Sequence, residues 1–125
     1  MAFTLHHFAL TVKNLEKSIE FYTNKLGLKI HGEDTRRDKY IYLSLANSEI
    51  YLELLQSREK LEDLNPGNMR PHLALTSDDI ENDLKSLEGR GLKSLDGLKI
   101  IPGDVKIFTV TDPDGYYIDV GQKID

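Results

Sequence analysis

Four residues carry the chemistry open to this sequence. His7 stands in His7-Phe8-Ala9-Leu10-Thr11-Val12, and His72 stands in Pro71-His72-Leu73-Ala74-Leu75-Thr76-Ser77. The His, Ala, Leu and Thr of the two stretches recur at one offset of 65 residues (72 minus 7, 74 minus 9). Two carboxylates repeat in the same way. Leu52-Glu53-Leu54-Leu55-Gln56 matches Ile118-Asp119-Val120-Gly121-Gln122 at an offset of 66 (119 minus 53), one inserted loop residue accounting for the change. Two imidazoles and two carboxylates suit one divalent ion of hard-to-borderline character, Ni, Co, Zn, Mn or Fe. Around an octahedral ion they leave two positions for water or a chelating substrate. One polar residue in an apolar strand ordinarily just faces solvent; four at equivalent places of two repeats argue for a site.

Two copies of one supersecondary unit would position these residues. A strand is expected over 5–12, then a helix N-capped by Asn14 with Leu15, Ile19, Tyr22 and Leu26 along one stripe. Gly27 closes it in the left-handed region. Strands follow near 28–33, 39–46 and 49–56, with Asn47-Ser48 read as a tight hairpin. The second copy has a strand over 71–77 and a helix carrying Ile80, Leu84 and Leu87, with Asp78 and Glu81 at capping-box spacing. Gly89 and Gly91 end that helix. Strands near 99–101, 105–111 and 116–122 complete it, the last entered through the turn Asp112-Pro113-Asp114-Gly115. Module one is thus 1–57, the linker 58–70 (with a helical turn near 59–64) and module two 71–125. The fold class expected is α+β: two βαβββ modules forming a curved mixed sheet with helices on its outer face.

Strand alternation decides which way each side chain points. His7, Ala9 and Thr11 share one face of the first strand; Phe8, Leu10 and Val12 share the other. His72, Ala74 and Thr76 repeat this against Leu73 and Leu75, while Glu53 and Asp119 oppose their apolar neighbours. All four candidates therefore project away from the helices. Tyr51 and Tyr117 share faces with Glu53 and Asp119, as pocket lining or interface packing. His6 is assigned to the opposite face from His7, and His31 to a structural or exposed role. Arg36-Arg37-Asp38-Lys39 and Arg70 read as solvated charges, with anion binding the alternative.

Composition narrows the function classes. At 125 residues, with 39% hydrophobic and 30% charged residues, the chain can form a globular domain with its own core. A net charge of −5 argues against nucleic-acid binding, which needs clustered cations. No cysteine is present, so disulfides, thiolate metal sites and cysteine nucleophiles are excluded. No apolar run approaches the roughly 18 residues of a membrane span, and no secretory leader is expected. A cytoplasmic protein is the expectation.

These residues, taken with Leu15-Glu16-Lys17-Ser18-Ile19-Glu20-Phe21-Tyr22, Leu26-Gly27-Leu28 and Asp112-Pro113-Asp114-Gly115-Tyr116-Tyr117-Ile118-Asp119, resemble the vicinal oxygen chelate superfamily. That superfamily includes glyoxalase I, fosfomycin- and bleomycin-resistance proteins, extradiol dioxygenases and methylmalonyl-CoA epimerase. The quartet most resembles glyoxalase I of the short bacterial form, which favours nickel or cobalt. The resemblance implies His7, Glu53, His72 and Asp119 as ligands of one divalent ion per site, with Glu53 or Asp119 as base. It implies a hemithioacetal of methylglyoxal and a thiol as substrate, turned over through a metal-stabilised enediolate. It also implies a homodimer. Two positions depart from the family: Asp119 replaces the usual glutamate, and Thr11 stands where the short glyoxalases carry an arginine for glutathione. A metal-free binding module of the bleomycin-resistance kind and a CoA-thioester epimerase are the alternatives.

Overall fold

Each half of the chain folds as its residue pattern directs, into a strand, a helix and three further strands. The computed structural model describes residues 2, 5–34, 40–45, 48–57, 59–61 and 72–124. The chain divides into two compact units, Met1–Glu62 and Asp63–Asp125. The expected linker, 58–70, lies largely outside the described residues. Both units are α+β.

In the first unit, strand β1 (His7–Val12) leads into helix α1 (Leu15–Glu20), which continues as a wider π turn over Phe21–Lys25. Strands β2 (Lys29–Asp34), β3 (Tyr40–Ser44) and β4 (Tyr51–Gln56) follow. They form one four-stranded sheet in the order β1-β4-β3-β2, with β1 and β4 parallel and the other pairs antiparallel. Asn14 caps α1 as expected, its Oδ1 accepting from the Lys17 amide at 3.1 Å, and Gly27 takes a φ of 93°. The helix buries Ser18, Phe21 and Tyr22 most completely, so the apolar stripe is rotated from the one read in the sequence. These three stand at the ordinary helical spacing of i, i+3 and i+4, while Leu15 and Ile19 are only half-buried. Leu10, Val12, Ile41, Leu43 and Leu54 complete this core, each burial contributing roughly 1.5–3 kcal/mol. Phe8, on the same face as Leu10, is 46% exposed.

The second unit repeats the plan. Strand β5 (Leu73–Thr76), helix α2 (Ile80–Gly89) and strands β6 (Lys99–Ile101), β7 (Val105–Thr111) and β8 (Tyr117–Lys123) give a sheet ordered β5-β8-β7-β6. Here β5 and β8 are the parallel pair. Ile80, Leu87, Phe108, Val110, Ile118 and Val120 are buried between helix and sheet. Before β8, Asp112 Oδ1 accepts from the amides of Asp114 and Tyr116 at 2.9 and 2.8 Å, and Gly115 turns the chain with a φ of 89°. Helix α2 is capped by Asp79, not Asp78: the Asp79 side chain accepts from the Asn82 amide. Its φ of −151° is the extended value a cap needs. The β3–β4 connection runs from 45 to 50, longer than a two-residue hairpin, and Asn47 lies outside the described residues.

The two units share one device that ties helix to sheet. Gln56 Oε1 accepts from the Leu15 amide at 2.9 Å while its Nε2 donates to the Lys13 carbonyl at 2.7 Å. Gln122 does the same with the Ile80 amide at 2.9 Å and the Asp78 carbonyl at 2.8 Å. Each last strand thereby satisfies an amide at the start of its own helix. Replacing Gln122 by Leu should lower stability by about 1–3 kcal/mol, read as a fall in the urea midpoint. An ion pair from Lys106 to Glu81 also fastens α2 to β7. The Lys106 hydrogen bond, then its own amide, hold the Glu81 carboxyl below its usual range. A depressed carboxyl contributes stability that is present above about pH 4.3 and lost as pH falls through its folded value. Glu81→Gln should therefore flatten the acid limb of the stability-versus-pH curve and leave the neutral limb's slope unchanged.

Candidate metal-binding half-sites

Parallel pairing of the first and last strands brings the predicted residues together in pairs. In the first unit Ala9 is level with Glu53 and His7 with Tyr51, so the His7 and Glu53 side chains are diagonal neighbours on one face. His7 Nε2 lies 3.6 Å from Glu53 Oε1. In the second unit Ala74 is level with Asp119, and His72, one residue ahead of β5, places Nε2 3.5 Å from Asp119 Oδ2. Alanine at both level positions keeps the space beside each carboxylate open.

These separations suit a shared ion better than a direct bond. An N–H···O bond to a carboxylate closes to about 2.7–3.2 Å. Two donors each about 2.1 Å from one ion, at angles between octahedral and tetrahedral or slightly wider, sit roughly 3–3.6 Å apart. Both pairs fall at the upper end of that span. The donor set, imidazole nitrogen with carboxylate oxygen, also fits the ions named from the sequence. Among the described residues no group of three or more His, Asp or Glu is placed to hold an ion.

Each carboxylate is further held by a hydroxyl from the neighbouring antiparallel strand. Tyr42, level with Glu53, hydrogen-bonds to it, and Thr109, level with Asp119, donates Oγ1–H to Asp119 Oδ1 at 2.6 Å. Neither residue is singled out by the sequence reading. The signal was the strand register, since whatever stands opposite Glu53 and Asp119 across the hairpin must share their face. Burial first, then the charge of Glu53 and the hydrogen bond to it, raise the Tyr42 phenol above its ordinary value of about 10.

Aromatic rings surround the first pair. His6 does not take the opposite face assigned to it: its ring meets His7 edge-on at 5.1 Å, Tyr51 at 5.3 Å and Tyr42 at 5.9 Å. It precedes β1, and alternation binds only residues inside a strand. His31 is exposed and stacks on Tyr51 at 4.2 Å, so Tyr51 packs on rings as well as bordering the site. In the second unit Tyr117 and Thr109 line a cleft of about 170 Å³ with Leu95, Lys99 and Ile107. Arg36, Arg37, Lys39 and Arg70 lie outside the described residues. Among the described residues no helix is long and apolar enough to cross a membrane.

A family model described as the Glyoxalase/Bleomycin resistance protein/Dioxygenase superfamily matches residues 4–120. Lactoylglutathione lyase of Salmonella typhimurium is 32% identical over 129 residues, covering 97% of this chain and 93% of its own. The lactoylglutathione lyase of Neisseria meningitidis serogroup A is 31% identical over 127 residues, covering 95% and 90%. In three dimensions the chain resembles TnmS3, an antibiotic binding protein from Streptomyces sp. CB03234, with a TM-score of 0.80, 25% identity and 99% of both chains covered.

The Tyr42–Glu53 contact can be tested by ultraviolet pH titration of the six tyrosines. One phenol should ionise above free tyrosine, and Tyr42→Phe should remove that step. Glu53→Gln should lower it part of the way only, because burial, the largest cause, is left in place.

Proposed function

The chain belongs to the glyoxalase/bleomycin resistance/dioxygenase superfamily, and from that premise we propose that it is a metal-dependent lyase of the glyoxalase I kind. The observation that supports this reading is the pair of matching half-sites, His7 with Glu53 and His72 with Asp119, at 3.6 and 3.5 Å. In this reading the four residues hold one divalent ion, nickel or cobalt by preference, with zinc, manganese or iron as substitutes. The half-sites meet within one chain or across a homodimer. Once bound, the ion supplies Lewis acidity to the oxygens of a chelating substrate.

The chain's own residues do the rest. Glu53, only 9% exposed and held by the Tyr42 hydroxyl, is the base. It takes the C1 proton of a hemithioacetal, the electron pair left behind spreads onto the adjoining oxygens, and the proton returns at C2. No oxidant is consumed, and the product is the isomeric thioester. Asp119, with Oδ1 engaged by Thr109, serves as a ligand and the alternative base. Because Thr11 offers no cation, the thiol's carboxylate would be met by Arg36, Arg37 or Lys39. A cytoplasmic setting accords with this chemistry and with a chain free of cysteine.

A second reading, a metal-free small-molecule binding module, is supported by the likeness to TnmS3. One experiment separates the two. Metal-stripped protein is titrated with Ni, Co, Zn and Mn, then assayed on methylglyoxal with glutathione, bacillithiol or coenzyme A. The lyase reading expects one ion per four-residue site and formation of the lactoyl thioester with at least one thiol. Glu53→Gln should cut turnover by about 10²–10⁴-fold with the circular-dichroism spectrum unchanged. Protein that refuses all four ions would sink the lyase.

A further inference from the structure

His6 Nδ1 and His7 Nδ1 are 2.9 Å apart. Two nitrogens at that distance share one proton, because two lone pairs or two N–H groups would repel. The proton belongs either to His7, with His6 accepting, or to His6, with His7 accepting. The role proposed for His7 decides between them. Its Nε2 is the nitrogen that faces Glu53, at 3.6 Å. If His7 holds an ion beside Glu53, it does so through Nε2, which must then be unprotonated. The proton of the neutral ring is left to Nδ1, and His6 is the acceptor.

We infer that His6 is a positioning residue, which accepts a hydrogen bond from His7 Nδ1–H and so fixes the tautomer that presents a bare Nε2 beside Glu53. A histidine can ligate a cation only through an unprotonated nitrogen, and a partner for its other nitrogen sets which one that is. The ring of His6 is itself held in place. Tyr42 and Tyr51 pack edgewise against it, and Tyr51 is backed by the stacked His31. The His6 carbonyl also accepts from the Tyr51 amide at 3.0 Å, which pins the backbone just ahead of β1. The device belongs to one repeat only. The residue that corresponds to His6 at the offset of 65 is Pro71, which has no side-chain nitrogen. The contact between the two rings stands on the geometry, and the tautomer assigned to it rests on His7 being a ligand through Nε2.

The test is long-range ¹H–¹⁵N correlation of the histidine rings in the metal-free protein, at a pH above the histidine range. Wild type should show His7 with a protonated Nδ1. His6→Phe keeps a packed ring without an acceptor, and should return His7 to the Nε2–H form that free imidazole prefers. His6→Asn restores a short acceptor and should restore the Nδ1–H form. Zinc affinity, titrated in parallel, should fall about 10–100-fold in His6→Phe and recover in His6→Asn. A wild-type His7 protonated at Nε2, or a His6→Phe protein with tautomer and affinity unchanged, would overturn the inference. Expected tautomers in a wild type that binds no ion would support the positioning role and defeat the metal reading instead.

Discussion

The parallel register between the first and last strand of each repeat is the constraint on which the rest depends. Ala9 level with Glu53, and Ala74 level with Asp119, determine what every other residue of those strands can meet. Two positions before each alanine stands a histidine; three positions after each carboxylate stands the glutamine that caps the helix. One strand therefore presents a carboxylate to a neighbouring imidazole and an amide to the first turn of a helix. A slip of one residue would turn the carboxylate into the core and a leucine toward the histidine. It would also pull the glutamine off the helix. The helix dock and the half-site are enforced by the same hydrogen bonds.

Within that common frame the two repeats have diverged in environment. The first surrounds a buried glutamate with rings: Tyr42 bonds to it, and His6, Tyr51 and His31 pack around its histidine. The second uses a shorter and more exposed aspartate, held by Thr109 beside an open cleft. A carboxylate with less water around it interacts more strongly with any nearby charge or developing proton. That difference is why Glu53 is proposed as the base and Asp119 as a ligand.

Much of this was legible in the sequence, and what was not has a physical explanation. Strand alternation and the fixed offsets anticipated the eight strands and two helices among the described residues, and named four residues that fall into two imidazole–carboxylate pairs, because those features repeat along the chain with a period. The cap of α2 was misplaced by one residue, since Asp78 and Asp79 are chemically alike and only the backbone angle chooses between them. The buried stripe of the first helix was misread because it begins at Ser18, a small polar residue that gives no apolar signal although it is fully buried. Tyr42 and Thr109 were missed because cross-strand partners depend on the register, which the length of each connection fixes. His6 was misdirected by extending alternation beyond the first strand residue.

Asp119 illustrates how a side chain's length is offset by the backbone around it. An aspartate is one methylene shorter than glutamate, enough to withdraw its carboxylate by about 1.5 Å on the same strand, a distance to which active sites are sensitive. Yet the imidazole–carboxylate separations in the two repeats differ by only 0.1 Å (3.6 against 3.5). The histidines are not held alike. His7 is the first residue of β1, paired with Tyr51, whereas His72 stands ahead of β5, whose pairing begins at Leu73. His72 meets Asp119 from just ahead of that strand. Thr109 meanwhile anchors the other oxygen of Asp119 at 2.6 Å, so Oδ2 is aimed and not free to rotate. With a carboxylate one methylene shorter, the second repeat keeps the donor spacing of the first.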